Sequence, residues 1–289
     1  MTTTTRLNGL RLGALGALLA TGLAFTAPSH AAPRHGPAQR DTSCPVAQHI
    51  DNWRSAEQLE RKGFHVELFG EQGSLDFERD HGRRYAALDL AANPTSAAYT
   101  ASRVSEIDGT LPIAERTKCW QASERRAVVG EYTLRFDEAA TSSSLTESAF
   151  FWNSPLPAVG ASEPAGLLTS FGVARNGGVY QAVALQDLNF ADFSGLYRTQ
   201  PMPVWLDAAD WHRVRVTISQ TTARIEVAQG DQPLTTVLEV QLLHPAEPLG
   251  FEVSIDNEAF PGYYVPVATP DGIDIDRLEI RLRRDRAAS

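Results

Sequence analysis

The sequence predicts an all-β fold, an antiparallel sandwich or barrel with one short N-terminal helix. Short segments of alternating apolar and polar residues, roughly a dozen, recur along the chain, and Gly, Pro, Asp and Asn separate them. A helical period of 3.6 residues is almost absent. The clearest segment pair is 211–230, WHRVRVTISQTTARIEVAQG, in which two alternating runs flank a polar reversal and so predict a β-hairpin.

The predicted hairpin has one apolar and one polar face, because successive side chains of a strand point to opposite sides. The side chains expected in the core are Val214, Val216, Ile218, Ile225 and Val227. Those expected on the polar side are Arg213, Arg215, Arg224 and Glu226. A lone hairpin is unstable in water, so a larger sheet and a second layer must cover its apolar face.

The remaining elements follow in chain order. Residues Ile50 to Lys62 predict the single helix, with Gly63 as its stop. The other predicted strands lie at 64–68, 75–77, 84–90, 128–136, 149–152, 167–174, 179–185, 237–243, 251–255 and 277–282. No linker-like change in composition occurs after Thr42, so residues 43–289 are predicted to form one domain.

The first 31 residues have the pattern of a secretory signal peptide. Arg6 and Arg11 precede an apolar run from Leu12 to Phe25, and Ser29-His30-Ala31 is a small-x-small cleavage site. A membrane anchor needs roughly 20 apolar residues, more than this run offers, and no later segment is predicted to span a membrane. We expect a secreted or periplasmic protein in which residues 32–42, rich in Pro and polar residues, form a disordered leader.

The charge and the cysteines add two expectations. A formal net charge of −9 argues against nucleic acid or an anionic lipid surface as a partner. The chain has two cysteines, Cys44 and Cys119. Export favours a disulfide between them, worth on the order of 4 kcal/mol in the chain-entropy model. A metal site or a catalytic thiol is the weaker interpretation, since no metal-ligand spacing or neighbouring base accompanies either residue.

Several stretches resemble the concanavalin A-like lectin and glucanase superfamily, laminin-G-like modules included. They are WHRVRV at 211–216, ARIEV at 223–227, PLGF at 248–251 and DIDRLEI at 274–280. The resemblance covers roughly Gly130 to Leu282 and implies an antiparallel jelly-roll sandwich. Because the superfamily includes lectins, glycosidases, lyases and adhesion modules, it does not identify one function.

The stretch 251–258, FEVSIDNE, carries the most chemistry. If Phe251, Val253 and Ile255 face the core, the other side of the strand presents Glu252, Ser254, Asp256 and Glu258. The pattern is similar to the Glu-x-Asp-x-Glu strand of laminarinase-type glucanases, but in either register one carboxylate is missing, for instance where Ser254 takes the nucleophile's place. Glu252, Asp256 and Glu258 are therefore candidates for ligand binding or catalysis, and a solvent-facing row is the alternative.

Calcium and an aromatic ligand platform are further possibilities at this end of the chain. Asp271, Asp274 and Asp276 are weak candidates for a Ca²⁺ site, and no other cofactor is predicted. Tyr263 and Tyr264 follow the acidic strand directly and are equally consistent with a platform for a sugar ring or a lid over the core. Trp152 and Trp211 are expected to be structural.

The sequence therefore favours a secreted, lectin-like β-sandwich whose partner is a carbohydrate, bound through Glu252, Asp256, Glu258, Tyr263 and Tyr264. A glycoside hydrolase acting on the same face is the first alternative. A polysaccharide lyase is less favoured; residues 123–126 resemble the Arg/Glu-bearing strand of lyases on this fold, and His212 would be the base. An envelope or adhesion module without a ligand site is the third alternative.

Overall fold

In the computed structural model the described residues are 47–50, 53–95, 98–105, 120–137, 144–155, 166–176, 178–189, 194–260 and 263–284. The expected signal peptide, the leader, Cys44 and Cys119 all lie outside these ranges. Cleavage, export and the disulfide therefore remain predictions. Nothing in the described part of the chain is a helix with the length and apolar character needed to cross a membrane.

The described chain contains one helix and seventeen strands. The helix is α1 (Ala56–Arg61). The strands are β1 (Ala47–Ile50), β2 (His65–Phe69), β3 (Gly73–Asp80), β4 (Arg83–Leu90), β5 (Ala101–Ser105), β6 (Arg126–Phe136), β7 (Leu145–Pro155), β8 (Gly166–Asn176), β9 (Val179–Asn189), β10 (Ser194–Pro201), β11 (His212–Ile218), β12 (Thr222–Gln229), β13 (Thr235–Gln241), β14 (Gly250–Asp256), β15 (Glu258–Phe260), β16 (Tyr263–Tyr264) and β17 (Asp271–Arg284).

The strands form two stacked antiparallel sheets, which confirms the predicted fold class. The first sheet has the order β13-β12-β11-β6-β17-β4-β3, with β1 also paired to β17. The second sheet has the order β10-β9-β8-β7-β14-β5-β2, and β15 and β16 form a separate two-stranded ribbon. Some neighbours are consecutive hairpin strands, such as β11-β12-β13 and β7-β8-β9-β10, whereas β6 with β17 and β5 with β14 pair over long sequence separations, so each sheet joins early and late parts of the described chain.

The predicted hairpin is confirmed in position and in phase. Strands β11 and β12 pair with Val216 opposite Ile225, and β6 pairs with the other side of β11. The five predicted core side chains are at most 1% exposed. On the polar side, Arg215 donates two hydrogen bonds to Glu131 of β6, at 2.8 and 2.7 Å.

Aromatic packing between the sheets determines which side of β14 faces outward. The rings of Phe150 on β7 and Phe251 on β14 lie 5.0 Å apart, and Tyr132 on β6 lies 5.1 Å from Phe251. A Cβ at Gly130 would lie 1.9 Å from the Phe150 ring, so only glycine leaves room for that ring. Because Phe251 is thereby held in the core, Glu252 and the alternate residues after it face outward from the second sheet.

The helix differs from its prediction. It begins at Ala56, where the Ser55 hydroxyl caps it by accepting a hydrogen bond from the Gln58 amide. Ile50 instead belongs to β1 and pairs with Leu278. The sequence analysis does not predict strands β1, β5, β10, β15 and β16.

His212 is fully buried and is unavailable as a surface base for a lyase. Its Nδ1–H donates to the Asp210 carbonyl at 2.9 Å, so Nε2 accepts from the Tyr180 hydroxyl. Burial lowers the pKa of His212 to about 4, which keeps the ring neutral.

The packing of Trp152 and Trp211 is structural. Trp152 is buried against the ring of Phe171. The guanidinium of Arg83 lies over the Trp211 ring, 4.5 Å from the ring centroid.

Candidate functional site

Four strands place charged side chains on the outer face of the second sheet. At one level of the sheet, Ser254 on β14 lies opposite Arg103 on β5 and Glu147 on β7. Arg103 in turn lies opposite Glu67 on β2. Glu252 and Asp256 flank Ser254 on β14, and the small serine side chain leaves room for its charged neighbours. We call Glu67, Glu147, Glu252 and Asp256, together with Arg103, the carboxylate cluster.

Arg103 is the cation at the centre of this cluster. Its nitrogens lie 3.4 Å from Glu252 Oε2, 3.7 Å from Glu67 Oε2 and 4.0 Å from Asp256 Oδ2. Burial lowers the pKa of Arg103, but the surrounding acids outweigh it, so its pKa is raised overall and the guanidinium stays charged. One positive charge thus serves three carboxylates.

Glu147 is the member of the cluster that Arg103 does not pair with, and it has no ion pair among the described residues. Burial, followed by repulsion from Glu252 and Asp256, raises the pKa of Glu147 above its ordinary value, although Arg103 opposes the shift. Burial also raises the pKa of Glu252. Burial thus raises the pKa of both glutamates, and the Arg103 guanidinium opposes both shifts.

An exposed group of aromatic side chains continues the cluster towards the edge of the sheet. The Arg103 guanidinium donates a hydrogen bond to the Tyr99 hydroxyl at 3.2 Å. The Tyr99 ring lies 5.9 Å from Tyr264 and 5.7 Å from Phe69. Tyr263 is 67% exposed, and Tyr264 and Phe69 are 41% and 40% exposed. We call Phe69, Tyr99, Tyr263 and Tyr264 the aromatic edge.

The acidic row expected to run from Glu252 to Glu258 ends at Asp256. Strand β14 ends at Asp256, because Asn257 turns the chain with its side chain bonded to the Thr100 amide at 2.8 Å and the Ala98 carbonyl at 3.0 Å. Glu258 then begins β15 and pairs with Tyr264, so it does not continue the row of Glu252 and Asp256.

The row is also not a simple solvent-facing one. Ser254 is 1% exposed and Asp256 6%, so these polar groups lie in a largely enclosed surface. Buried polar and charged groups of this kind require partners. Such groups occur in binding sites as well as in structural networks.

The three calcium candidates are not brought together. Asp271 lies on the same side of β17 as the core residue Ile273 and is bonded to Arg175 and Ser144. Asp274 pairs with Arg135 at 2.5 Å, and Asp276 lies 3.4 Å from Arg83. Within the described ranges no group of three or more His, Cys, Asp or Glu side chains is arranged to hold a metal ion.

Of these two groups, sequence reasoning found Glu252, Asp256, Tyr263 and Tyr264 but missed Glu67, Phe69, Tyr99, Arg103 and Glu147. The missed residues lie on β2, in the turn before β5, on β5 and on β7, whose closeness to β14 depends on strand pairing over long sequence separations. A single acidic residue in the stretch LTESAFFW, just before a run of aromatics, was the available signal for Glu147.

No protein-family model and no curated protein sequence matches the chain. Solved structures match it through the fold. A laminarinase from Flavobacterium sp. UMI-01 has a TM-score of 0.52 at 11% identity, over 82% of this chain and 100% of that one. A Bacteroides ovatus GH16 protein in complex with a G4G4G3G product has a TM-score of 0.52 at 10% identity, over 81% and 99%.

A third similar structure is the GlcNAcα1-4Gal-releasing endo-β-galactosidase from Clostridium perfringens. It has a TM-score of 0.53 at 10% identity, over 81% of this chain and 61% of that one. At such identities the likeness concerns the fold, which is the concanavalin A-like jelly-roll sandwich expected from the sequence.

Proposed function

We propose that this protein binds carbohydrate on the outer face of the second sheet, through the carboxylate cluster and the aromatic edge. The observation that carries the proposal is their continuity. The Arg103 guanidinium, which lies among the acids, also donates a hydrogen bond to Tyr99, and Tyr99 packs against the exposed Tyr264. Charged hydrogen-bonding groups and exposed rings therefore form one surface.

A sugar ring matches this combination chemically. Its C–H face packs on an aromatic ring, while its hydroxyls donate to carboxylates and accept from a guanidinium. Four carboxylates against one arginine would repel uronic acids and sulfated glycans, so a neutral glycan is the expected class. The named activities of the similar laminarinase and endo-β-galactosidase, both glycan-acting proteins of this fold, support the same ligand class.

A glycan array followed by affinity measurements tests this proposal. We expect Tyr264→Ala to weaken binding of the retained glycan by roughly tenfold, because the ring supplies stacking surface. Leu243→Ala is the control, since Leu243 is an exposed apolar residue that follows β13 in the chain. Equal binding by wild type and Tyr264→Ala would place the ligand elsewhere, and a blank array would favour the structural module.

A glycoside hydrolase on the same face is the second candidate, and Glu147 is the observation in its favour. The sequence motif on β14 lacks one carboxylate, and β7 supplies a carboxyl in its place. The raised pKa of Glu147 suits a general acid. Glu252 and Asp256 lie on the same face, 3.4 and 4.0 Å from Arg103, and supply the second carboxyl that glycosidic bond cleavage requires.

A reducing-end assay on the array hits separates binding from cleavage. If the protein is an enzyme, Glu147→Gln abolishes release of reducing ends and leaves binding largely intact, because an amide cannot donate the proton. If wild type binds but releases no reducing ends, the protein is a lectin. Release that persists in Glu147→Gln would remove Glu147 from the mechanism.

We further propose that the protein acts outside the cytoplasm, on the strength of the signal-like residues 1–31. An exported location would give it access to extracellular or envelope polysaccharide. N-terminal sequencing of the exported protein tests this step, and we expect the mature chain to begin at Ala32.

A further inference from the structure

An exposed tryptophan, Trp205, lies at the opposite edge of the sandwich from the aromatic edge. Trp205 sits in the turn Pro203–Leu206 after β10, and a neighbouring turn at 229–232 ends β12. The two turns border a groove of about 650 Å³. Its lining includes Trp205, Gln229, Asp231, Gln232, Pro233 and Thr235.

The exposure of Trp205 is not explained by the fold. Trp205 is 46% exposed and its neighbour Val204 is fully exposed, whereas Trp53, Trp120 and Trp152 are at most 5% exposed. The corners of a β-turn favour Gly, Asn, Asp, Ser and Pro, and a Val-Trp pair there gains nothing from turn formation. Together with the groove beside it, this Val-Trp pair offers an apolar surface on which a ligand can pack.

The two turns are held in a fixed relation. The Gln229 side chain accepts a hydrogen bond from the Asp207 amide at 3.3 Å and donates one to Asp210 at 2.5 Å. Leu206, 8% exposed, anchors the first turn in the core. Arg213 donates to the Gln232 carbonyl at 3.0 Å and ties the second turn to β11. A groove built in this way is preorganised, which lowers the entropic cost of binding.

We propose that this groove is a second carbohydrate-binding site, with Trp205 as its stacking platform. The indole and Pro233 supply the apolar floor, and the exposed side chains of Asp231, Gln232 and Thr235 supply hydrogen-bonding groups for hydroxyls. The choice of a glycan as the ligand rests on the proposed function, whose site shares this pairing of exposed rings with polar oxygens. The acidic residues Asp207, Asp210 and Asp231 disfavour an anionic membrane or polysaccharide.

Two sites at opposite edges would make the protein bivalent. The aromatic edge borders β2, the last strand on one side of the second sheet, whereas the groove borders β12 and β13 at the other side of the first sheet. Strand β13 packs near β9 and β10, and β4 packs near β14 and β5, which fixes these edges as opposite. A polysaccharide that engages both sites, or two chains held together, would be retained more strongly than by either site alone.

Affinity electrophoresis of the full-length protein in gels containing laminarin, mixed-linkage β-glucan or galactan tests the proposal. The proteins compared are wild type, Trp205→Ala, Tyr264→Ala and the double variant, with Leu243→Ala as the control. We expect each single variant to bind the retaining polysaccharide roughly tenfold more weakly and the double variant to migrate as in a gel without polysaccharide. Acrylamide quenching of indole fluorescence gives a second readout, since Trp205 is the most exposed of the five tryptophans.

The outcomes separate the two sites. Retention that depends on Trp205 but not on Tyr264 supports the groove and contradicts the proposed function. Retention that depends on Tyr264 alone, with quenching of Trp205 unchanged by saturating polysaccharide, overturns the second site. Wild type that no gel retards also overturns it, as does Trp205-dependent binding to phosphatidylcholine vesicles without any effect on glycan retention.

Discussion

Arg103 organises the candidate site, although no sequence motif predicts its position among the carboxylates. It is the only cation of the carboxylate cluster, and it lies within 4.0 Å of acids from two different strands, Glu67 on β2 and both Glu252 and Asp256 on β14. Because partly buried carboxylates are costly without a cation, Arg103 is what allows several of them to share one face. Glu147 has no ion-pair partner among the described residues. It is therefore either an uncompensated negative charge or a protonated carboxyl.

Replacement of Glu147 tests this electrostatic description. Burial and the neighbouring acids raise its pKa in the folded chain above the value in the unfolded chain. Such a group binds its proton more tightly when folded, so the free energy of unfolding falls as the pH rises from the ordinary carboxyl range through the raised pKa. We expect Glu147→Gln to leave stability nearly unchanged near pH 4 and to increase it by about 1 kcal/mol or more at pH 8.

Urea denaturation at pH 4, 6 and 8 measures this effect. Glu71→Gln is the matched control, since Glu71 is an exposed glutamate in the turn before β3. A loss of stability in Glu147→Gln at pH 8 would mean that Glu147 is ionised and held by a favourable interaction.

Strand β11, with large aliphatic residues at alternate positions, was predictable, whereas strand β5, in which small residues predominate, was not. In β11 the valines and the isoleucine fix the phase without any knowledge of neighbours, and the structure confirms it. Strand β5, with the sequence ASRVS, is buried at four of five positions although only Val104 is large and apolar. Its burial follows from its place between β14 and β2, which the local sequence does not encode.

Alternation within one strand explains which part of the candidate site could be predicted, and pairing between strands explains which part could not. The core phase of Phe251 and Val253 places Glu252 and Asp256 outward, so one strand of the site follows from alternation alone. The side chains of Arg103 and Glu147 are brought there by pairing of β14 with β5 and β7. That pairing depends on the packing of the whole sandwich. The residues next to Arg103 or Glu147 in sequence do not reveal it.

Gly130 provides a test of the packing that sets this phase. The added methyl of Gly130→Ala would meet the Phe150 ring, so β6 or the ring must move. We expect the free energy of unfolding to fall by about 1 to 3 kcal/mol. The double variant Gly130→Ala/Phe150→Leu should lose less than the sum of the two single losses, because the smaller side chain relieves the clash. Strict additivity in urea denaturation would contradict the described contact.

Taken as a whole, the molecule is a sandwich with an acidic and aromatic surface on one sheet and a stable core behind it. The N-terminal residues before β1 lie outside the described chain, and the predicted bond between Cys44 and Cys119 would tie them to the body of the domain. Trp120, next to Cys119 in sequence, is 1% exposed and its carbonyl accepts a hydrogen bond from Leu249 at 2.8 Å. A bond at Cys119 would therefore be attached next to a firmly packed residue.

Thiol titration of the exported protein tests the predicted disulfide. We expect no free thiol in the denatured, unreduced protein and two after reduction, since the chain has two cysteines. Reduction should also lower the free energy of unfolding, by on the order of 4 kcal/mol in the chain-entropy model. Two titratable thiols before reduction would show that the bond does not form.

The proposed location of glycan binding, on the second sheet, is tested most directly on the unmodified protein. Hydrogen–deuterium exchange, measured with and without a saturating concentration of the glycan retained on the array, reports which backbone segments the ligand covers. We predict slower exchange in peptides that cover residues 98–105 and 250–264, which carry Arg103, Glu252, Asp256 and Tyr264. Unchanged exchange in both segments, with protection confined to other strands while the glycan is bound, would contradict the proposed site.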